Sequence, residues 1–408
     1  MTRTRTTRIV AATLALGLVA AACGGDDDAA PVTEAPVDDT DDADEPDDAD
    51  EPDDADEPDD ADEPDDAMAV DLSDVCPSPL VIQTDWFPES EYGATYNLIG
   101  EPYTVDVNEK TVTGPLWTEG QPTGIDVEVR TGGPAIGFSA PRQQMYTDDS
   151  IHLAYSSLDA QSLAWDDAPL VSVVAPLLKN PQIIMWDPEV YPDVETVEDL
   201  GEQGVIINVF AGGGFAEVFV AEGIWSEDQV DPSYDGSPAR FIAEGDLAQQ
   251  GFATAEPYLY ENEFAEFGRM PAFQLLHDAG YIAYTQTLAV RPDDLETLRP
   301  CLEEFVPIVQ KAAVEFLDDP DRTNALIVDA VEQFDDFWVY DMGVAQYAVD
   351  TMIELEIKGN GPNGMAGEMD LDRVTEAIDA IRAAGANVTV DDVADMFTNE
   401  FLDPSIGF

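Results

Sequence analysis

Basic side chains are scarce in this chain. Sixteen lysines and arginines stand against 87 aspartates and glutamates in 408 residues, with only two histidines. The shortage of cations excludes a phosphate-tracking nucleic-acid surface, which needs clustered Lys and Arg. A formal net charge of −71 repels anionic headgroups for the same reason, and a surplus of surface carboxylates keeps a secreted protein soluble in salt. With His152 and His277 as the only histidines, no Ser-His-Asp set has a natural member, and His277, in "QLLHDAG", reads as part of a packed helix. No Cys/His cluster exists to hold zinc. Carboxylate pairs are so numerous that none singles out glycosidase chemistry. The sequence therefore points to no catalytic residue, no metal site and no cofactor.

Cysteine is equally sparse, with three in all. Arg3, Arg5 and Arg8 precede the apolar run "IVAATLALGLVAAAC", which ends in small residues, as a signal peptide over 1–22 does. The Ala-Ala-Ala-Cys-Gly ending resembles a bacterial lipobox, in which Cys23 becomes the lipidated first residue; ordinary signal-peptidase cleavage after the same alanines is the alternative. If Cys23 carries lipid, Cys76 and Cys301 remain as an even pair in an oxidising compartment, either bridged or as two free thiols. Residues 23–75 read as an acidic tether. The hexad "DDADEP" repeats over 41–66, where self-repulsion extends the chain and proline prevents a continuous helix. Calcium is a weaker reading of those carboxylates, since no glycine-turned loop accompanies them.

From about Cys76 strand-like and helix-like segments alternate. "PLVIQTDW" reads as a buried strand and "EYGATYNLIG" as a helix or partial helix. "PYTVDVNEKTVTGPLW" reads as a hairpin insertion at 103–117. "GIDVEVRTGG", "SIHLAYSS" and "PLVSVVAPL" read as further strands separated by short helices. A second set follows in "PQIIMWDP", "TVEDLGEQ", "GVIINVF", "AGGGFAEVFVAEGI" and "QQGFATAEPYLY". The pattern predicts parallel sheets with helices on their faces. Beyond "YIAYTQTLAVR" the apolar spacing becomes three-to-four, and the chain turns helical. The expected architecture is α/β, with two lobes joined by a hinge: a first lobe starting with 76–179, a second lobe over 180–284, and 285–408 completing the first lobe and adding C-terminal helices.

The order of "LVIQTDWFPESEYGATY", "GIDVEVRTGGP", "IHLAYSS", "APLVSVVAPL", "YPDVETVEDL" and "QGFATAEPYLYE" resembles the solute-binding proteins of ABC importers related to thiamine-pyrimidine-precursor, riboflavin, nitrate and alkanesulfonate carriers. The resemblance runs from about Pro79 to Leu302. It implies a type II periplasmic-binding-protein fold in which ligand is trapped between the lobes. The matching family segment often carries histidine where this chain has Tyr92, and asparagine where it has Glu89. A related enzyme that makes the thiamine pyrimidine needs a Cys-rich motif, and this chain has none.

Ligands of open α/β sheets sit beyond the carboxyl ends of the strands, so the strand tips hold the candidate contacts. Asp85, Trp86 and Tyr92 follow the first strand, and Trp86 offers a flat π-face, or else caps its own core. Tyr155, Ser156 and Ser157 form a second tip, where the serines either bond ligand or N-cap the next helix. Gly212, Gly213 and Gly214 expose backbone N–H groups at a helix start. Glu256 is placed to accept from an amine or amidine, and Tyr258 to stack or hydrogen-bond. Arg130, Arg142 and Arg240 have no evident reason to converge, which disfavours nitrate and sulfonate.

The expected function is that of an extracytoplasmic substrate-binding lipoprotein, anchored to the outer face of the cell membrane through Cys23. It captures a small organic solute, best a nitrogenous heterocycle such as a vitamin precursor, and delivers it as a monomer to ABC permease subunits. A secreted two-domain enzyme or a non-transport surface receptor are the alternatives. The enzyme needs an acid/base pair in the cleft, and the receptor needs no closing cleft.

Overall fold

The computed structural model describes residues 70–408. The expected signal peptide, lipidated Cys23 and most of the expected tether lie outside the described residues. The folded part starts earlier than residue 76: Leu72 is fully buried in the first-lobe core, and its N–H bonds the carbonyl of Thr123 at 2.8 Å. A single leucine in an acidic run has no periodicity to announce it.

Among the described residues, twelve strands build two sheets. β1 (Leu80–Gln83), β2 (Thr104–Asp106), β3 (Thr111–Thr118), β4 (Gln121–Arg130), β5 (Leu153–Ser156), β6 (Val171–Val174) and β12 (Thr287–Val290) form the first, in the order β2-β3-β4-β1-β5-β12-β6. β7 (Gln182–Trp186), β8 (Ile206–Asn208), β9 (Val230–Asp231), β10 (Leu247–Phe252) and β11 (Ala272–Leu275) form the second, in the order β11-β7-β10-β8-β9. β1, β5, β6 and β12 are buried along their whole length, as central strands covered on both faces must be, whereas β4 alternates exposed and buried. The 103–117 segment is the expected hairpin, lying at the far edge of the first sheet.

The sheets are mixed rather than parallel. β1 runs parallel to β4 and β5, but β12, the strand that brings the chain back from the second sheet, is antiparallel to both its neighbours. β7, which first enters the second sheet, is antiparallel to β10 and β11. A strand arriving directly from the other lobe enters its sheet from the opposite end to one that follows a local helical crossover, and alternation of elements does not encode that difference.

The second sheet separates two apolar layers. Ile184, Trp186, Ile207 and Ala248 belong to one, and Ile183, Met185 and Leu247 to the other. The helices divide between the lobes. Pro292–Asp318 and Asp321–Phe334 pack into the first-lobe core, while Leu371–Ala383 inserts Val374, Ala377, Ile378 and Ile381 into the second-lobe core. Thus 285–408 does more than complete the first lobe. Helix starts follow local chemistry: Thr196 and Asp199 form a capping box before Val197–Gln203, and Asp341 and Asp370 cap the helices they precede. Cys76 is bonded to Cys301, tying the start of the first lobe to the 292–318 helix.

The segments that pass between the sheets lie side by side. Leu178 and Lys179 N–H groups both bond the carbonyl of Ile357, at 2.7 and 3.1 Å, and Ala175 N–H bonds Gly367 at 2.9 Å. The Asp370 N–H reaches the Tyr284 hydroxyl at 3.1 Å. His277 follows β11 in a turn rather than a helix; burial pulls its imidazole down to about 4, which keeps it neutral.

Candidate functional site

β1 is short because the residues after it turn to bond sideways. The Thr84 hydroxyl donates to the carbonyl of Trp86 at 2.7 Å, and Gly132 N–H bonds the same carbonyl at 3.0 Å. A Cβ on Gly132 would stand 2.3 Å from the Thr84 carbonyl oxygen, and one on Gly133 2.7 Å from the Trp86 ring, where φ is also +58°. The glycines of "RTGG" therefore permit the tip that holds Trp86. The Trp86 ring meets Trp338 edge-on at 5.9 Å and Phe138 at 6.2 Å. From the second lobe, a Cβ on Gly236 would lie 3.8 Å from both Trp86 and Phe210, so the two lobes close to contact distance around this ring.

Between them lies a cavity of about 390 Å³, a size that suits a small organic molecule. Its walls are aromatic, with Trp86, Phe210, Tyr234, Tyr281 and Trp338 among them; neutral polar side chains such as Gln182, Gln250 and Gln286 also line it, and its charged groups are acidic. Asp85, Glu89, Asp159 and Glu256 line it, and no lysine or arginine does. Asp85 accepts from the Tyr92 hydroxyl at 2.6 Å. Glu256 accepts from the Phe252 N–H at 2.8 Å. Asp159 accepts from the Tyr281 hydroxyl, leaving its other oxygen buried without a partner. Behind the wall, Glu91 accepts from Thr254, at the end of the second-lobe sheet, and from the Gln286 amide at 3.0 Å.

Burial disfavours charge at Asp85, Glu89, Glu91 and Glu256. It raises Glu91 to about 8 and Glu256 to about 7, and raises Asp85 against the opposing pull of Tyr92. Glu89 is held well above the carboxylate range by burial first, then by Glu91, Glu256 and Asp85. Two basic groups act on these carboxyls: the partly buried Arg142 on Asp159, and on Glu91 the buried Lys358, which lies 4.8 Å above the Phe316 ring and is drawn down by burial to about 7.

Eight of the sequence candidates meet in this cavity: Asp85, Trp86, Tyr92, Ser157, Gly212, Gly213, Gly214 and Glu256. Ser157 occupies the N-cap of Leu158–Leu163 but makes no side-chain capping bond. Gly213 is the N-cap of Gly214–Ala221, and a Cβ on Gly214 would stand 3.0 Å from the Tyr281 hydroxyl oxygen. Three candidates lie elsewhere. Tyr155 supports the wall from behind, packed edge-on against Tyr92 at 4.9 Å and bonded to Thr95 at 2.8 Å. Ser156 is buried at the end of β5, where its carbonyl accepts from Thr287 at 2.8 Å. Tyr258 follows Glu256 by two residues on one helix, about 200° around its axis, and faces Tyr347 at 5.6 Å instead. Arg130 and Arg240 are engaged by Asp148 and Asp231, away from the cavity.

Sequence reasoning missed the cavity's far wall. Trp338 comes from the loop between Asp321–Phe334 and Met342–Glu354, fixed by Tyr340, whose hydroxyl accepts from the Ser90 N–H at 2.8 Å and donates to the Ser90 hydroxyl at 2.7 Å. The clue was available in "DDFWVYD", where three aromatics crowd between two helices without helical spacing. Phe210, Tyr234 and Asp159 carried no such signal.

Among solved structures, a protein of Bordetella bronchiseptica RB50 superposes with a TM-score of 0.51 at 14% identity, over 80% of this chain and 96% of its own. The ligand-binding component of an ABC-type import system from Staphylococcus aureus, solved with zinc bound, gives 0.50 at 10% identity, over 79% and 97%. This is the periplasmic-binding-protein fold. A Candida albicans protein described by that generic fold superposes at 0.47 and 12% identity, over 80% and 98%. At these identities the likeness is one of fold. No protein-family model and no curated protein matches the chain. Among the described residues, no three His, Cys, Asp or Glu side chains are grouped to hold a metal ion.

Proposed function

We propose that the chain is the extracytoplasmic substrate-binding component of an ABC importer, and that it captures a small organic solute between its two lobes. The observation that carries this reading is the 390 Å³ cavity, walled by Trp86 and Trp338 from the first lobe and by Phe210 and Tyr234 from the second. Capture proceeds by closure. Each lobe supplies part of the wall, so ligand contacts are complete only when the lobes meet, and binding draws the population to the closed form. Aromatic faces and hydrogen-bond acceptors suit a nitrogenous heterocycle, of the kind found among vitamin precursors. Lipid on Cys23 holds the monomer at the outer face of the membrane, with residues 24–69 as its tether, and the loaded form docks on the permease subunits.

The test is a thermal-shift screen of the full chain at high salt against heterocycles, amines, sulfonates and nitrate. Saturable stabilisation by one chemical class, with the compound recovered unchanged, supports the carrier. Turnover of the compound would move the assignment to a two-domain enzyme. No shift across the panel would favour a surface receptor.

A further inference from the structure

The geometry points to a solute that carries a positive charge on an N–H-bearing nitrogen, with Glu89 as the residue that receives it. This rests on the capture function proposed above and adds to it the charge of the solute and the side chain that selects it.

Glu89 differs from the other carboxylates around the cavity. It is 8% exposed and lines the cavity, and neither a protein hydrogen bond nor an ion pair engages its carboxylate among the described residues. It occupies the N-cap of the turn Ser90–Tyr92, yet makes no capping bond. Its neighbours are already supplied with donors: Asp85 from Tyr92, Glu256 from Phe252, and Glu91 from Thr254 and Gln286. Asp159 is bonded by Tyr281 through one oxygen and keeps the other without a partner, so Glu89 alone among the lining carboxylates has both oxygens left for something that enters the cavity.

A buried carboxylate without a partner must either hold its proton or meet a cation. The protein offers none at that point, because no lysine or arginine lines the cavity. The charged and titratable groups around Glu89 are Asp85, Glu91 and Glu256, with the Tyr92, Tyr96 and Tyr340 hydroxyls; Lys358 acts on Glu91 behind the wall. An anion entering this space meets the four lining carboxylates of Asp85, Glu89, Asp159 and Glu256, with no lysine or arginine in the lining and only Arg142, behind Asp159, as a nearby cation. A cation meets Glu89 together with the Trp86 and Trp338 rings of the wall, and indoles attract positive charge in a desolvated site. When the cation binds, Glu89 ionises and its proton passes to solvent, so capture exchanges a proton for the solute's charge. An N–H group on that nitrogen satisfies the carboxylate that the fold leaves open.

Three probes of one shape separate the possibilities: benzamidinium, benzamide and benzenesulfonate, titrated calorimetrically into the full chain in two buffers of different ionisation enthalpy. Benzamidinium is expected to bind at least about tenfold more tightly than benzamide, with proton release and no detectable benzenesulfonate binding. Glu89→Gln is expected to remove that preference, whereas Glu89→Asp, which keeps the charge, retains it. A thermal midpoint close to that of the unaltered chain shows that each variant is folded. Equal or tighter binding of benzamide or benzenesulfonate, or an unchanged preference in a folded Glu89→Gln chain, overturns the charge assignment and leaves solute capture standing. Binding of none of the three, joined to silence across the wider screen, overturns both.

Discussion

The Tyr92 hydroxyl donates to the Asp85 carboxylate at 2.6 Å, so one cavity carboxylate is held in place by a residue from the helical turn seven positions later. Tyr155 packs edge-on against the same phenol from β5. The bond both orients Asp85 and offsets part of its burial cost.

Tyr92→Phe removes that donor and leaves the ring in place. Loss of a buried partner of this kind costs about 1–3 kcal/mol. The expected result is a lower denaturation midpoint with an unchanged m-value, measured by urea unfolding; an unchanged midpoint would show that the bond is not made in solution.

Trp86 and Trp338 come from segments about 250 residues apart, yet meet as two sides of one corner. Each Trp→Ala change is expected to weaken capture of the solute found in the screen by about tenfold, at the scale of one aromatic contact. A double-mutant cycle is expected to give a coupling of about 0.5–1.5 kcal/mol. Strict additivity would mean that the two rings act on the ligand separately.

Stability is expected to fall as pH rises. Glu91 and Glu256 have folded values raised to about 8 and about 7, so between about 5 and 8 the folded chain retains protons that the unfolded chain releases. The stabilisation is complete below the ordinary glutamate range and is lost as pH passes through these raised values. Lys358, lowered to about 7, acts with the opposite sign, and its slope lies above that pH. Thermal midpoints from pH 5 to 8 check the sign, and Glu91→Gln and Glu256→Gln should each flatten the curve.

Reduction of the Cys76–Cys301 bond opens a link between residues 225 positions apart. Chain-entropy reasoning gives a loss of roughly 5 kcal/mol for a loop of that length, before native-state effects are counted. Unfolding with and without reductant measures it, and equal midpoints would show that the covalent link adds nothing.

What could be read from the sequence was what local patterns encode. β1, β4, β5 and β6 announced themselves by apolar runs or alternation, Thr196 by its capping chemistry, and Trp86 by standing just past the end of a strand. The mixed strand directions were hidden because they depend on which lobe a strand comes from. Tyr258 was misplaced because helical rotation sends it away from Glu256, which no single-residue argument weighs. Glu89 stood out only as a departure from the family segment, where asparagine is frequent. Its distinction lies in lacking a partner, a property that exists only once Asp85, Glu91 and Glu256 have taken theirs.

The paired crossing segments at 175–179, 284 and 357–370 have a mechanical consequence. A single flexible strand between two bodies permits twist, slide and splay alike. Several strands laced laterally to one another act as a piano hinge, leaving one soft rotation and stiffening the rest. In the proposed capture cycle, opening explores a narrow arc, so little orientational freedom is surrendered on closure.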